Sequence, residues 1–178
     1  KVPEEFLSAR LVSAFQTSLG MFPRLASLPT MVVDFPDRAE KDSWQKGIGD
    51  FSTFGFVPPR TQSNSLKTVQ EILCANRSHR RIDWFPLLAE IVEPGSTLFP
   101  SVFTDATGSG LFESSSSAIR TSSSTAGVSI DCLAYKTENG LNVEWSVDPE
   151  LGNIKLIKEA FKIFKEEMIL QKQTIPEE

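Results

Sequence analysis

The chain has few of the residues that form disulfide frameworks and metal sites. Its 178 residues include two cysteines, Cys74 and Cys132, and one histidine, His79. Two cysteines cannot form the disulfide framework of a small secreted protein, and with a single histidine they make a poor zinc site. We therefore expect both thiols to be reduced in a cytoplasmic protein, and we expect no bound metal.

Long apolar runs and an excess of positive charge are also missing. No apolar run reaches the roughly 20 residues that a membrane-spanning helix needs, and no signal peptide is visible, so we expect neither membrane insertion nor secretion. The net charge of −5 and the pI near 5.0 disfavour nucleic acid as a partner. The 40% hydrophobic content suits a folded core, and the length favours a single domain.

Hydrophobic periodicity and turn residues predict an ordered series of helices and strands. Gly20 is the expected stop of the first helix, and Ser63 or Asn64 is the expected cap of the second. The pattern predicts helices over residues 4–19, 65–76, 84–92 and 153–172, strands over 28–35, 49–57 and 98–104, a loop over 105–124, and a hairpin over 128–147 around Asn139-Gly140. This order favours the α/β class, with a mixed sheet covered by helices in one lobe, residues 1–178.

Thr125 and Asp131 are the polar residues around the hairpin that invite a chemical interpretation. Thr125 precedes the first strand, and Asp131 stands within it, where a carboxylate is disfavoured by strand propensity and costly if buried without a partner. In one interpretation Asp131 simply faces solvent. In the other, a hydroxyl and a carboxylate converge on a cleft for proton transfer. The residues alone leave both open.

Other polar and aromatic patterns favour structural roles. Asp37 and Asp42 share a charged run that is typical of a solvated turn. His79 lies at a helix end, where a cation is favourable, and no G-x-S-x-G motif supplies a nucleophilic serine. Gly108-Ser109-Gly110 lacks the lysine and the following helix of a phosphate-binding loop. The three tryptophans are scattered along the chain and are typical of a core: Trp44, Trp84 and Trp145.

Several segments nevertheless stand in a recognisable order and spacing. They are LPTMVVDFPDR and GIGDFSTF, then SHRRIDWFPLLAEI, FPSVFTDATG and STAGVSIDCLA, and finally NGLNVEWSVDPEL with LIKEAFKIFKEEM. Together, over roughly residues 5–170, they resemble the C-terminal half of the heterocyclization domains of nonribosomal peptide synthetases, which belong to the condensation superfamily.

This resemblance implies a fold, an activity and partners. The fold would be one chloramphenicol-acetyltransferase-like lobe of a two-lobed, V-shaped domain. The activity would join an acyl or peptidyl thioester to Cys, Ser or Thr on a downstream phosphopantetheine arm, and would then cyclise and dehydrate the product to a thiazoline or oxazoline, as in siderophore biosynthesis. The partners would be peptidyl or aryl carrier proteins, the N-terminal lobe and an adenylation domain. No cofactor would be bound tightly, since the phosphopantetheine arms belong to the carrier proteins.

The resemblance also assigns site residues. In the family motif TPqvwlD, a Thr and an Asp six residues apart are implicated in cyclodehydration, and they correspond here to Thr125 and Asp131. Asp105, Ser124 and Trp145 lie in the matched segments and are expected to contact the substrate.

Departures from the family pattern leave two alternatives open. Asp105 stands where a Ser is usual, Cys132 and Leu133 replace a His-Gln pair, and Ser146 replaces an Asp. A lobe with such changes would be catalytically degenerate and would only dock carrier proteins, or it would be a coenzyme A-dependent acyltransferase of the same superfamily. Because a single lobe offers half a cleft, we expect it to be inactive without its N-terminal counterpart.

Overall fold

The computed structural model describes residues 6–35, 52–61, 65–79, 96–109 and 127–173, with the single positions 82, 86, 88, 90 and 93. The strands are β1 (Thr30–Asp34), β2 (Thr53–Val57), β3 (Ser101–Ala106), β4 (Ile130–Thr137) and β5 (Gly140–Val147). The helices are α1 (Leu7–Ser18), α2 (Pro23–Ala26), α3 (Leu66–Ser78) and α4 (Ile154–Gln173), with 3₁₀ turns at Leu19–Met21 and Pro149–Leu151.

The five strands form one mixed sheet in the order β2-β1-β3-β4-β5. The three inner strands β1, β3 and β4 run parallel, while β2 and β5 pair antiparallel at the two edges. Parallel neighbours need long crossover connections, and α3 lies in the connection between β2 and β3. The predicted α/β class, with helices covering a mixed sheet, is therefore confirmed.

Three details of the predicted boundaries are wrong. The first helix ends at Ser18 and continues as a 3₁₀ turn through Gly20, so this glycine does not stop it. The cap of α3 is Ser65, whose Oγ accepts a hydrogen bond from the Thr68 N–H at 3.1 Å. Gly140 already pairs with Thr137 as the first residue of β5, and the turn consists of residues 138–139. Its φ of +119° explains why a glycine stands there.

Parts of other predictions lie outside the described residues. The proposed caps Ser63 and Asn64, the pair Asp37 and Asp42, and most of the loop over 105–124 belong to this group. Within the predicted helix 84–92, positions 86, 88 and 90 are helical. No described helix is long and apolar enough to cross a membrane.

Side chains alternate across the sheet, which gives it two different faces. The helix face packs against α1, α3 and α4 and forms the core with them. Its strand residues are Thr30, Val32, Asp34, Thr53, Gly55, Val57, Ser101, Phe103, Asp105, Ile130, Cys132, Ala134, Val143, Trp145 and Val147. The far face is the opposite one, and its residues are Met31, Val33, Phe54, Phe56, Val102, Thr104, Ala106, Asp131, Leu133, Tyr135, Asn142, Glu144 and Ser146.

Helix α1 is the centre of the helix layer. It packs against both α3 and α4, and its residues 9–16 and 18 are all buried. Phe15 lies at its middle, with its ring centroid 5.8 Å from that of Phe103 and 5.6 Å from that of Trp145. The sheet is thus held on one side by a dry aromatic and aliphatic core.

Candidate functional site

Asp131 is on the far face, in the first half of β4. Its side chain is half-buried, and its neighbours across the sheet are Val102 on β3 and Ser146 on β5. The Thr104 hydroxyl donates a long hydrogen bond of 3.4 Å to Asp131 Oδ1. A carboxylate in this position is partly withdrawn from water and fixed to the strand, which are the conditions for proton transfer to a bound molecule.

Thr125 and Ser124 lie outside the described residues. The chain is described again from Gly127, whose φ of +80° places it in the left-handed region that favours glycine. The meeting of Thr125 with Asp131, and the contact of Ser124 with substrate, therefore stay predictions.

Asp105 is on the other face from Asp131, and its carboxylate is engaged by the protein itself. The residue is 5% exposed, and its Oδ1 accepts hydrogen bonds from the backbone N–H of Thr107 at 3.1 Å and from the Thr107 hydroxyl at 2.6 Å. Its Oδ2 accepts a hydrogen bond from the Ser8 hydroxyl and lies 3.6 Å from Arg77 Nη2. The sheet thus separates the carboxylates of Asp105 and Asp131, and the contact of Asp105 with substrate stays a prediction.

Arg77 joins Asp105 to a second carboxylate at the carboxyl ends of β1 and β3. Its Nε donates to Asp34 Oδ2 at 2.7 Å, and the other oxygen of Asp34 accepts from the Thr53 hydroxyl at 2.5 Å. Burial by itself would lower the pKa of Arg77, but the hydrogen bond to Asp34 and the charges of Asp34 and Asp105 raise it. This ionic cluster, defined as Asp34, Arg77 and Asp105, ties the end of α3 to the sheet.

The ionic cluster was not foreseen from the sequence, although it has a sequence signal. Asp34 and Asp105 each stand near the end of a predicted strand, where a buried carboxylate needs a cation. Arg77 stands at the end of the helix in the connection between those strands. A search for the cation that satisfies both carboxylates would have pointed to α3.

Trp145 lies in the core rather than in a cleft with Asp131. Its ring makes edge contacts with Phe15 and Phe161, at centroid distances of 5.6 Å and 4.9 Å, and its Nε1–H donates to Cys132 Sγ at 3.1 Å. This packing agrees with the interpretation of Trp145 as a core residue, and its contact with substrate stays a prediction. Burial raises the pKa of the Cys132 thiol well above its ordinary value, which disfavours the reactive thiolate.

The far face also carries a hydrogen-bonded pair, Tyr135 and Glu144, that was not predicted from the sequence. The Tyr135 hydroxyl donates a short hydrogen bond to Glu144 Oε1, and Tyr135 is 5% exposed. This hydrogen bond raises the pKa of Tyr135, and burial and the charge of Glu144 raise it further. The signal was strand alternation, because Tyr135 has the same parity as Asp131 on β4 and therefore lies on the same face.

The two halves of the far face differ in chemistry. Phe54 and Phe56 on β2 have ring centroids 6.1 Å apart, and Phe56 stacks on Phe99 at 4.3 Å. The polar side chains Asp131 and Glu144 lie on β4 and β5, at the other side of the sheet. This face can therefore contact an apolar group and exchange a proton with a polar one.

The described residues contain no cluster of side chains that could bind a metal ion. In that part of the chain, no group of three or more His, Cys, Asp or Glu side chains is placed to hold a metal ion. His79 is the C-cap residue of α3, and its backbone N–H donates to Ala75 O at 3.2 Å. This position agrees with its interpretation as a residue at a helix end.

Comparison with known proteins identifies the fold. No protein-family model and no curated protein matches the chain. The nonribosomal peptide synthetase FmoA3, in its form bound to α-methyl-L-serine-AMP, matches with a TM-score of 0.71 and 19% identity over 96% of this chain and 20% of that chain. The cyclization-docking bidomain of the synthetase EpoB from Sorangium cellulosum matches with a TM-score of 0.67 and 17% identity over 91% of this chain and 36% of that chain.

A third solved structure extends the likeness beyond these two synthetases. The condensation domain of the monacolin K polyketide synthase MokA matches with a TM-score of 0.68 and 11% identity over 93% of this chain and 41% of that chain. The chain thus spans between 20% and 41% of the length of these structures. At identities this low, the structural likeness shows the fold alone, and it confirms the predicted fold of a condensation-domain-like lobe.

Proposed function

We propose that this chain is the C-terminal lobe of a heterocyclization domain in a nonribosomal peptide synthetase. The observation that carries the proposal is the position of Asp131, half-buried on the far face of a lobe whose fold matches cyclization and condensation domains. The segment around Asp131 also resembles the cyclodehydration motif of that family. Asp131 and Thr125 are the proposed catalytic residues.

The first reaction in this proposal forms an amide. The amine of Cys, Ser or Thr on a downstream phosphopantetheine arm attacks the carbonyl carbon of an upstream acyl or peptidyl thioester. The C–N bond forms, the C–S bond breaks, and the upstream arm leaves as a free thiol. The described residues include no obvious base for this step, so we assign it to the domain as a whole.

The second reaction is the one in which Asp131 would act. The side-chain thiol or hydroxyl of the new residue attacks the amide carbonyl, and its proton passes to the Asp131 carboxylate. The Asp131 carboxyl group returns this proton to the oxyanion, which gives the hemiaminal. The carboxylate then takes the proton of the N–H group as the C=N bond forms and the C–O bond breaks, and it delivers this second proton to the departing hydroxyl, which leaves as water. The Thr125 hydroxyl would hold the hemiaminal by a hydrogen bond. The partial burial of Asp131 favours this role, since it keeps bulk water from competing for the proton.

The partners in this proposal are carrier proteins and a second lobe. The phosphopantetheine arms come from peptidyl or aryl carrier proteins, and an adenylation domain loads the amino acid. The chain covers 36% of the EpoB cyclization-docking bidomain, and the proposal pairs it with an N-terminal lobe.

The test uses a two-lobed protein that carries this chain, with an aminoacyl donor and a cysteinyl acceptor on their carrier proteins. Intact mass measurement separates the linear amide from the thiazoline, which has lost one water. We expect Asp131→Asn to slow thiazoline formation by about 100-fold or more, the usual contribution of a general acid or base, while the linear amide accumulates. The control is Glu138→Gln, an exposed residue at the tip of the hairpin.

Two outcomes would replace the proposal with one of its alternatives. If Asp131→Asn cyclises at the parental rate, Asp131 is not catalytic, and a lobe that only docks carrier proteins becomes the better account. If the protein transfers an acyl group from coenzyme A but not from a carrier protein, it is an acyltransferase of the same fold. Thr125→Val should show the same accumulation of linear amide as Asp131→Asn.

A further inference from the structure

A groove of about 580 Å³ lies at the end of the sheet where β3 and β4 begin. It is bounded by the segment 21–25 after α1, by the residues that precede β3 and β4, and by the turn between β5 and α4. The ionic cluster lies at the other end of β3, so the groove is separate from it. A volume of this size is in the range of small-molecule sites, roughly 300–1,000 Å³.

The floor of the groove is apolar and well fixed. Phe22 and Leu25 line it and are 5% and 2% exposed, and both belong to the main core. Leu151 and Leu156 line the opposite side and pack against the same core. Gly127 lines it too, and a Cβ at this position would lie 2.9 Å from Thr97 Oγ1, so a glycine is needed for the wall to close this tightly.

Two opposite charges on the wall of the groove have no partner in the described part of the chain. Arg24 enters from α2 and Glu150 from the turn before α4, and both are exposed. Among described residues, neither side chain forms an ion pair or a hydrogen bond, and they do not pair with each other. The arginines Arg60 and Arg77, in contrast, each bind a carboxylate.

Hydroxyl groups complete the polar wall. Ser129 and Thr97 line the groove, and their side chains form no hydrogen bond to another described residue. Asp148 adds a second carboxylate beside Glu150, with its Oδ1 already accepting from the Glu150 N–H at 2.9 Å. The groove thus presents both polar and apolar groups to a ligand.

We propose that this groove binds a short zwitterionic peptide with apolar side chains. Its carboxylate would contact Arg24, its ammonium group would contact Glu150, and its side chains would pack on Leu151 and Leu156, which are half-buried. A cation and an anion that line one groove without pairing are complementary to a ligand that carries both charges at its two ends. The hydroxyls of Ser129 and Thr97 would bind the peptide group between them. This inference does not depend on the proposed function.

The probes are four small peptides, titrated into the 178-residue protein and followed by the chemical shifts of its amides. L-leucyl-L-leucine carries both charges and both apolar side chains. N-acetyl-leucyl-leucine lacks the ammonium group, leucyl-leucinamide lacks the carboxylate, and glycylglycine lacks the apolar side chains. We expect each of these three to bind more weakly than L-leucyl-L-leucine. The loss of one exposed charge pair should weaken binding by about 2- to 5-fold.

Variants then assign each charge to its residue. Arg24→Gln should weaken binding of L-leucyl-L-leucine by about 2- to 5-fold and leave leucyl-leucinamide unaffected. Glu150→Gln should do the same for L-leucyl-L-leucine and leave the N-acetyl peptide unaffected. Lys158→Gln is the matched control, because Lys158 is exposed on α4 and does not line the groove.

The proposal is overturned if L-leucyl-L-leucine causes no saturable shifts around Phe22 and Leu25. It is also overturned if the four probes bind equally, or if the control variant weakens binding as much as Arg24→Gln. The probe series on the unchanged protein decides the matter even if a variant fails to fold.

Discussion

The two faces of the sheet are built from the same strands but have different physical characters. On β4, Ile130, Cys132 and Ala134 face the helices and are 0% exposed, whereas Asp131 and Leu133 between them face the other way and are half-buried. The helix face buries its polar groups only with partners, as in the ionic cluster. The far face carries polar groups that solvent or a bound molecule can reach.

Alternate residues of one strand therefore have different roles: those on the helix face stabilise the fold, and half-buried ones on the far face can contact a substrate. A residue that packs against α1 loses most of its water and contributes to the free energy of unfolding, roughly 1.5–3 kcal/mol for a fully buried large apolar side chain. A half-buried residue on the far face, such as Asp131 or Leu133, contributes less, but it can meet a substrate. Substitutions of fully buried residues on the helix face should therefore cost more stability than substitutions of half-buried residues on the far face.

The largest effect is expected at Phe15, at the centre of the core. Phe15→Ala removes a ring that is 0% exposed and that contacts Phe103 and Trp145, so it leaves a cavity. We expect a loss of about 3–5 kcal/mol in the free energy of unfolding, measured by urea denaturation. Leu133→Ala on the far face is the matched control and should cost clearly less. Equal losses at the two positions would show that the far face is as much a core as the helix face.

A smaller effect is expected at the ionic cluster. Arg77→Met removes the cation between Asp34 and Asp105 and leaves Asp105, whose side chain is 4% exposed, without its charge partner. Breaking a buried pair costs about 3–5 kcal/mol, but the Arg77 side chain is 39% exposed and is partly screened by water. We therefore expect a loss of about 1–3 kcal/mol by urea denaturation. Arg24→Met, which removes an arginine with no described partner, should change stability little, and a loss as large as that of Arg77→Met would count against the cluster.

The elements could be predicted from the sequence because their signals are local. Period-2 alternation and an amphipathic pattern depend only on neighbouring residues, and β1, β3 and α4 follow them closely. The burial of α1 could not be predicted in this way. Arg10, Ser13 and Gln16 are polar, yet all three are buried because α4 and α3 close over that side of the helix. Arg10 Nη2, for example, donates to Met168 O at 2.6 Å, a contact between distant parts of the chain.

The candidate site was predictable in part, and the hairpin explains why. A two-residue turn pairs an odd-numbered residue with an even-numbered one, so Trp145 must lie on the face of Cys132 and Ala134, away from Asp131. This argument needs only the sequence, and it places Trp145 on the face opposite Asp131. Placing the turn one residue too late, at 139–140, would change the partner of Asp131 from Ser146 to Asp148 without changing the face. The face of Asp105 depends on the parallel register between β3 and β4, which no local pattern sets.

The smallest effect is expected at Tyr135. Its substitution tests whether the hydrogen bond between Tyr135 and Glu144 stabilises the folded protein. Its hydrogen bond to Glu144, then burial and the charge of Glu144, raise its pKa in the folded protein, while the unfolded value stays near 10. The stabilisation is therefore fully present below pH 10 and is lost as the pH rises through the folded pKa. We expect Tyr135→Phe to cost about 0.5–1.5 kcal/mol at neutral pH and progressively less above pH 10. Because Tyr135 is the single tyrosine of the chain, the absorbance of tyrosinate reports its titration directly, and a folded pKa at the ordinary value would mean that Glu144 does not hold this hydroxyl.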